Sequence, residues 1–440
     1  MEGTQNSKQI IIFTTFSEVS EAYSLNRVVQ DQIKMFLRNG YKPTVIVQEG
    51  FQPKQMYEQV DLVTIPLVAC HNEIKKDPTF DEDVDKIETK LREIITDNSV
   101  ILTHDVIYQP AALKHNFAAR RVAKDSKAKW LHWIHSATSP VSLNALQPYF
   151  DDMYLELIRS PFPNSQYIFF NDYSKPRIAE EFGVSIELVK TVNHPTDVCG
   201  FLGISPEVQE IVDKYKILSV DAICTYPIRL DRGKQVEYVI RTMARIKDFD
   251  RSVRVIIVDF HSTGGDKVTY RDELKQIGID AGLNAGELIF TSEQREDWNV
   301  EIPNQCIRDF QLLSNVFIMP SKSESYSLIT QEAGLTKQVV VLNFDFLPFR
   351  DIFGENAIYR KYSSNIDIMS GMGGNTYTNY GPVNVSDEER KKYEKDYHFE
   401  TAAMIVNRLM HPEMALSIKL RKERNLDAVF KNQLEPLFYG

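Results

Sequence analysis

Two carboxylates with seven residues between them, Glu324 and Glu332, frame the segment in which chemistry is most legible. The apolar run 316–319 predicts a buried strand. Pro320 and three serines end it, and the residues from Tyr326 onward predict a helix. A helix that begins there leaves the backbone N–H groups of Ser325, Tyr326, Ser327 and Leu328 without intrahelical partners, which suits an anion such as a phosphate. A carboxylate repels phosphate but accepts two hydrogen bonds from a vicinal diol. Glu332, placed about two turns into the helix, is therefore better suited to ribose hydroxyls than to charge. Glu324 lies in the loop itself. A second junction, IRLDRGK, carries Arg229 and Lys234 five positions apart, with an amphipathic stretch following from Gln235. Two cations at a strand-to-helix turn suit a departing diphosphate.

Polar residues also stand at the ends of apolar runs in the first half of the chain. His104-Asp105 follows VILT, His135-Ser136 follows WLHWI, and NHPTD (193–197) follows a run ending near Val192. A lone histidine at such a place is more often structural than catalytic, so these residues alone assign no role.

These residues need elements to hold them. Apolar runs at 9–14, 44–47, 61–65, 100–103, 130–134 and 167–170 predict strands, with helices between, notably at 82–95 and 111–122. Leu25, Val28, Val29, Ile33, Phe36 and Leu37 share one face of a helix that Asn39-Gly40 stops. The alternation repeats after a linker helix at 206–216, with strands at 222–226, 253–258, 288–291, 316–319 and 339–342. Strand and helix in alternation predict parallel sheets covered on both faces, with ligands beyond the C-terminal strand ends. Residues 363–387 are rich in Gly, Ser, Asn and Tyr and are expected to form a loop.

At 440 residues the chain exceeds a single core. A net charge of −10 offers no bulk attraction to nucleic acid or anionic lipid. Arg120, Arg121 and Lys124 are expected to form a solvated helix face. The cysteines at 70, 199, 224 and 306 have no metal-ligand or disulfide spacing and read as free thiols of a reducing compartment. With no signal-like start and no run long enough to span a bilayer, a cytoplasmic location is expected.

The E-x7-E spacing resembles the signature of retaining GT-B glycosyltransferases of the glycogen-synthase and sucrose-synthase-like group (family 4-like). Pro320, Ser321, Glu324, Ser325, Tyr326 and Leu328 match that string, while Ser327 stands where relatives have glycine. Arg229 and Lys234 resemble the family's R-L-x3-K-G step, except that the glycine is Gly233, before the lysine. His135 resembles the histidine at a strand end near the reaction centre. Asn193, Pro195 and Asp197 resemble the string that closes the first domain, whereas 16–23 departs from the usual Gly-Gly turn.

The resemblance implies an α/β fold of GT-B type, two facing Rossmann-like domains with a C-terminal helical segment crossing back. The expected bounds are 1–200 for the acceptor side, 201–395 for the nucleotide-sugar domain and 396–440 for the returning helices. It implies hexosyl transfer with retention from a nucleotide sugar, UDP- or GDP-linked, with no cofactor and no metal. Glu332 would hold ribose, and Arg229, Lys234 and the N–H groups of Tyr326 to Leu328 would hold the diphosphate. Glu324 would contact the transferred sugar, and His135 would lie beside it. The acceptor is open: a glycan, a small molecule or a nucleic acid, including modified DNA. A sugar-nucleotide epimerase on the same fold and a non-catalytic carbohydrate- or nucleotide-binding protein are the alternatives.

Overall fold

The computed structural model describes residues 8–16, 24–53, 55–66, 78–136, 152–260, 267–321, 326–361, 377–378, 381–382 and 386–439. The expected loop at 363–387, the departing turn at 16–23, Glu324, Ser325 and Cys70 lie wholly or mainly outside these residues. Two compact units form. The first comprises 1–197 and 424–440, and the second 198–423.

The first unit is built on seven strands: β1 (Gln9–Phe13), β2 (Thr44–Gln48), β3 (Asp61–Ile65), β4 (Ser99–His104), β5 (Lys129–Trp133), β6 (Ser165–Phe169) and β7 (Val189–Thr191). They lie in the order β3-β2-β1-β4-β5-β6-β7, every pair parallel. Their near-continuous apolar runs follow from this, because a parallel sheet is covered on both faces. One face packs on the helices Phe80–Ile94 and Leu113–Asp125. The other packs on the helix Ser24–Arg38 and on Leu426, Val429, Phe430, Leu434 and Phe438 of the C-terminal segment. Arg38 Nε donates to Asp427 at 2.7 Å, and the Asn193 amide donates to Gln433 Oε1 at 2.9 Å, tying that segment to the sheet.

The second unit repeats the plan with β8 (Ala222–Arg229), β9 (Val253–Phe260), β10 (Leu288–Phe290), β11 (Val316–Met319), β12 (Val339–Asn343) and β13 (Ile358–Arg360), again all parallel, in the order β10-β9-β8-β11-β12-β13. The order reverses between β8 and β11. The last three residues of β8, Pro227 to Arg229, pair with Val258, Asp259 and Phe260 of β9. Against β11 the paired residues are Cys224 of β8 and Val316 of β11, and Cys224 stands three residues before Pro227. Pro227, which has no N–H to donate, lies beyond that pair, and β8 runs on toward the switch point. Two doubly wound sheets and a C-terminus that rejoins the first are the elements of the GT-B architecture.

The returning segment is shorter than the expected 396–440. The helix Asp387–Leu409, opened by a capping box between Ser386 and Glu389, buries Tyr397, Ala402, Ile405 and Leu409 in the core of the second unit. Only residues from Arg424 onward belong to the first. Arg120 also departs from expectation. It is buried, its guanidinium donating to Ser160 and Pro161 carbonyls at 3.0 and 3.2 Å and lying over Phe162, and burial lowers its pKa to about 10. Arg121 behaves as expected on the exposed side, pairing with Asp85 and Glu88.

Candidate functional site

In the second unit, the two junctions singled out from sequence follow neighbouring parallel strands at the place where strand order reverses, which is where open α/β sheets hold ligands. Arg229 is the exposed last residue of β8. Lys234 ends a short 3-10 turn, Arg232–Lys234, and its N–H donates to Asp231 O at 2.9 Å. The turn following β11 is fixed from two directions. Asn343 Nδ2, at the end of β12, donates to Ser321 O at 3.0 Å. The fully buried Tyr226 on β8 directs its hydroxyl at Lys234 O (3.2 Å) and shares a hydrogen bond with Ser321 Oγ (3.3 Å). One phenol therefore links the cationic turn to the serine-rich turn.

The helix after the serine turn is Leu328–Leu335, so it begins two residues later than expected. Tyr326 is outside it and exposed, and Ser327 precedes its first residue in the left-handed region (φ 59°). For a helix that starts at Leu328 the first-turn N–H groups are those of Leu328, Ile329 and Thr330, later in the chain than the expected set Ser325 to Leu328. Glu332 is the fifth helical residue, a little over one turn in. Its side chain is exposed on the same face as Leu328, and its carboxylate makes no hydrogen bond or ion pair with any described residue. Glu324 and Ser325 lie outside the described residues.

In the second unit, the two departures from the strings that the sequence resembles fall on left-handed backbone. Ser327 occupies a glycine position at φ 59°. Gln235, which follows Lys234 where the resembled string has glycine, takes φ 52°. Left-handed backbone costs an L-residue about 1–2 kcal/mol. The chain thus keeps a glycine-like conformation without the glycine. At Ser327 the side chain contributes a 2.7 Å hydrogen bond to Thr330 Oγ1.

In the first unit, polar residues gather beyond the C-terminal ends of β4, β5 and β7. His104 ends β4 fully buried. Its Nδ1 is 2.9 Å from His135 Nε2, and its Nε2 is 2.8 Å from Gln32 Oε1. His135 stacks on His194 with ring centroids 5.3 Å apart and planes 8° from parallel, and His194 stacks in turn on Trp133. The His135 N–H lies 3.2 Å from Tyr108 Oη, and the Tyr108 hydroxyl donates to Asp105. Burial lowers His135 to about 3 and His194 to about 4, and holds His104 well below its usual range. Burial raises Asp105 to about 6. The histidines are neutral polar groups, not cations.

His194 and Gln32 were not singled out individually as site residues. Gln32 had a signal: it falls on the stripe Val29, Ile33, Phe36 of the first helix, where a polar residue requires a buried partner. Asp197 pairs with Lys34 at 2.6 Å, and Thr196 bridges to Asn425, so the NHPTD string largely anchors the C-terminal segment. Among the described residues no cluster of His, Cys, Asp and Glu could hold a metal ion, and no helix is long and apolar enough to cross a membrane.

No protein-family model matches the chain, and no curated protein matches it significantly. Among solved structures it is similar to a glycosyltransferase from Rickettsia africae, at 14% identity over 97% of this chain and 100% of that one, with a TM-score of 0.30. A sucrose-phosphate synthase from Thermosynechococcus elongatus is similar at 14% identity over 93% and 100% of the two chains, with a TM-score of 0.31. An α,α-trehalose-phosphate synthase (UDP-forming) from Burkholderia xenovorans, in complex with glucose-6-phosphate, is similar at 13% identity over 98% and 99%, with a TM-score of 0.33.

Proposed function

We propose that the chain is a glycosyltransferase that moves a hexosyl group from a nucleoside-diphosphate sugar, UDP- or GDP-linked, to an acceptor hydroxyl with retention of configuration and without a metal. The observation that carries the reading is the junction pair at the β8/β11 switch point, one cationic and one a helix N-terminus, joined by Tyr226 and keeping left-handed backbone at both glycine positions. In this reading Arg229, Lys234 and the N–H groups of Leu328 to Thr330 neutralise the diphosphate as charge builds on it. Glu332 accepts hydrogen bonds from the ribose diol, Glu324 contacts the transferred sugar, and Tyr326 and Ser327 shape the turn. The first unit supplies the acceptor side, with His135 at its strand ends. A neutral His135 suits a hydrogen bond to a sugar hydroxyl better than contact with phosphate.

The test is incubation of the full-length protein with a panel of UDP- and GDP-sugars and candidate acceptors, following nucleotide release and the anomeric proton of the product by NMR. Release of nucleoside diphosphate with a product of the donor's anomeric configuration is expected. A product still attached to the nucleotide but epimerised, or binding with no turnover across the panel, would contradict the reading.

A further inference from the structure

In the first unit a buried hydrogen-bond chain runs to His135 from Gln32 through His104, two residues to which the proposed function gives no role. With the Gln32 amide oxygen turned toward His104, as in this structure, the 2.8 Å contact places the proton on His104 Nε2, because Oε1 only accepts. A neutral imidazole with Nε2–H has a bare Nδ1, and that lone pair faces His135 Nε2 at 2.9 Å. His135 must then carry its own proton on Nε2. Its remaining nitrogen, Nδ1, is a bare acceptor with no partner among the described residues.

The rings cannot easily turn to another arrangement. His135 is clamped flat against His194, and His104 stacks on Trp133 at 6.0 Å and 23°. The His135 backbone N–H is held by the Tyr108–Asp105 pair. Three imidazoles packed in one buried cluster also disfavour a proton on any of them.

We infer that Gln32 and His104 are positioning residues that lock His135 in its Nε2–H tautomer, presenting Nδ1 as an acceptor for a hydroxyl proton of the sugar substrate. The tautomer chain stands on the first unit's geometry alone. Only the identity of the hydroxyl rests on the glycosyltransferase reading. No bond is made or broken by the lock. It fixes which end of the imidazole faces the ligand, as the hydrogen bond at the other nitrogen does for histidines generally.

The experiment uses full-length protein labelled with 15N-histidine, with the His135 signals assigned by their loss in His135→Asn. Long-range proton–nitrogen spectra report the tautomer of each neutral ring. His135 is expected as Nε2–H in the wild type. It should stay so in Gln32→Glu, whose carboxylate still accepts from His104, and become a tautomer mixture in Gln32→Leu. Turnover in Gln32→Leu is expected to fall about tenfold, the lower end of the loss seen when a metal-bound histidine loses its orienting partner. Donor KM should be unchanged, and Gln32→Glu should retain most of the activity. A wild-type His135 found as Nδ1–H, a single Nε2–H form surviving in Gln32→Leu, or unchanged turnover despite a mixed tautomer would overturn the inference. If Gln32→Leu does not fold, the wild-type and Gln32→Glu spectra decide it. A wild type that transfers no sugar would defeat the glycosyltransferase reading and leave the tautomer result to stand or fall by itself.

Discussion

Replacing Tyr226 by phenylalanine removes one oxygen from the centre of the second unit and keeps the ring in its packing. The lost hydroxyl bridges Lys234 O at 3.2 Å and Ser321 Oγ at 3.3 Å, with Met319 Sδ a weaker neighbour at 3.5 Å. Both oxygen contacts are neutral and rather long, worth about 1 kcal/mol each. Tyr226→Phe should therefore lower stability by about 1–2 kcal/mol in urea denaturation. The functional effect is separate. If the two turns grip one diphosphate, loosening their link should lower kcat/KM roughly three- to tenfold, equivalent to about 0.7–1.4 kcal/mol. Ser321→Ala removes the other end of one bond, so the double variant should show a coupling of roughly 0.5–1 kcal/mol in both stability and kcat/KM. Coupling in stability with none in kcat/KM would refute the claim that the two turns act on one ligand.

Other consequences follow from the same geometry. Arg229→Ala and Lys234→Ala should each lower kcat on the order of 100-fold, about 2.7 kcal/mol, with a smaller change in donor affinity. A loss confined to affinity would remove both from the leaving-group role. Transfer should survive dialysis against EDTA, and activity that vanishes and returns with a divalent ion would mean a metal neutralises the diphosphate instead. Acid should destabilise the fold early. Burial holds His115 and His135 down to about 3 and His194 to about 4, and His398 to about 3, against 6.5 for an ordinary imidazole. Between those values the unfolded chain binds protons that the native chain refuses, so stability should fall as pH drops from about 6.5 toward 4. Asp31 and Asp105, raised to about 6 by burial, act in the opposite sense but are fewer. Equal or greater stability at pH 5 than at pH 7 in urea titrations would contradict this balance.

The sheets were legible because parallel strands buried on both faces leave uninterrupted apolar runs; VFIM at 316–319 is a strand to the residue. β13 was not, since its three half-buried residues, Ile358–Arg360, carry no pattern of their own. The helix after the serine turn started late because Ser327 turns left-handed, and nothing in a serine announces a positive φ. Arg120 departs from the expected solvated face because its guanidinium is satisfied inside, by the Ser160 hydroxyl and the carbonyls of Ser160 and Pro161, and charge alone does not tell a buried arginine from an exposed one. The link from His135 to Gln32 was invisible for a different reason. It joins residues about a hundred positions apart, brought together only when β4 and β5 pair beside the first helix. Strand ends marked the histidines as candidates, but only the three-dimensional arrangement showed that they form a chain.

In the proposed function the second unit holds a nucleoside-diphosphate sugar with its ribose on Glu332. Charge-assisted hydrogen bonds of a carboxylate to a diol contribute about 1.5–3 kcal/mol in a partly desolvated site. The decisive measurement is a double-mutant cycle by calorimetry, comparing wild type and Glu332→Gln with the preferred donor and its 2′-deoxyribose analogue. The account predicts that Glu332→Gln weakens the ribose donor by roughly tenfold or more and the deoxy donor distinctly less, leaving a coupling of about 1 kcal/mol. Equal losses for both donors, or no loss for either, would contradict it.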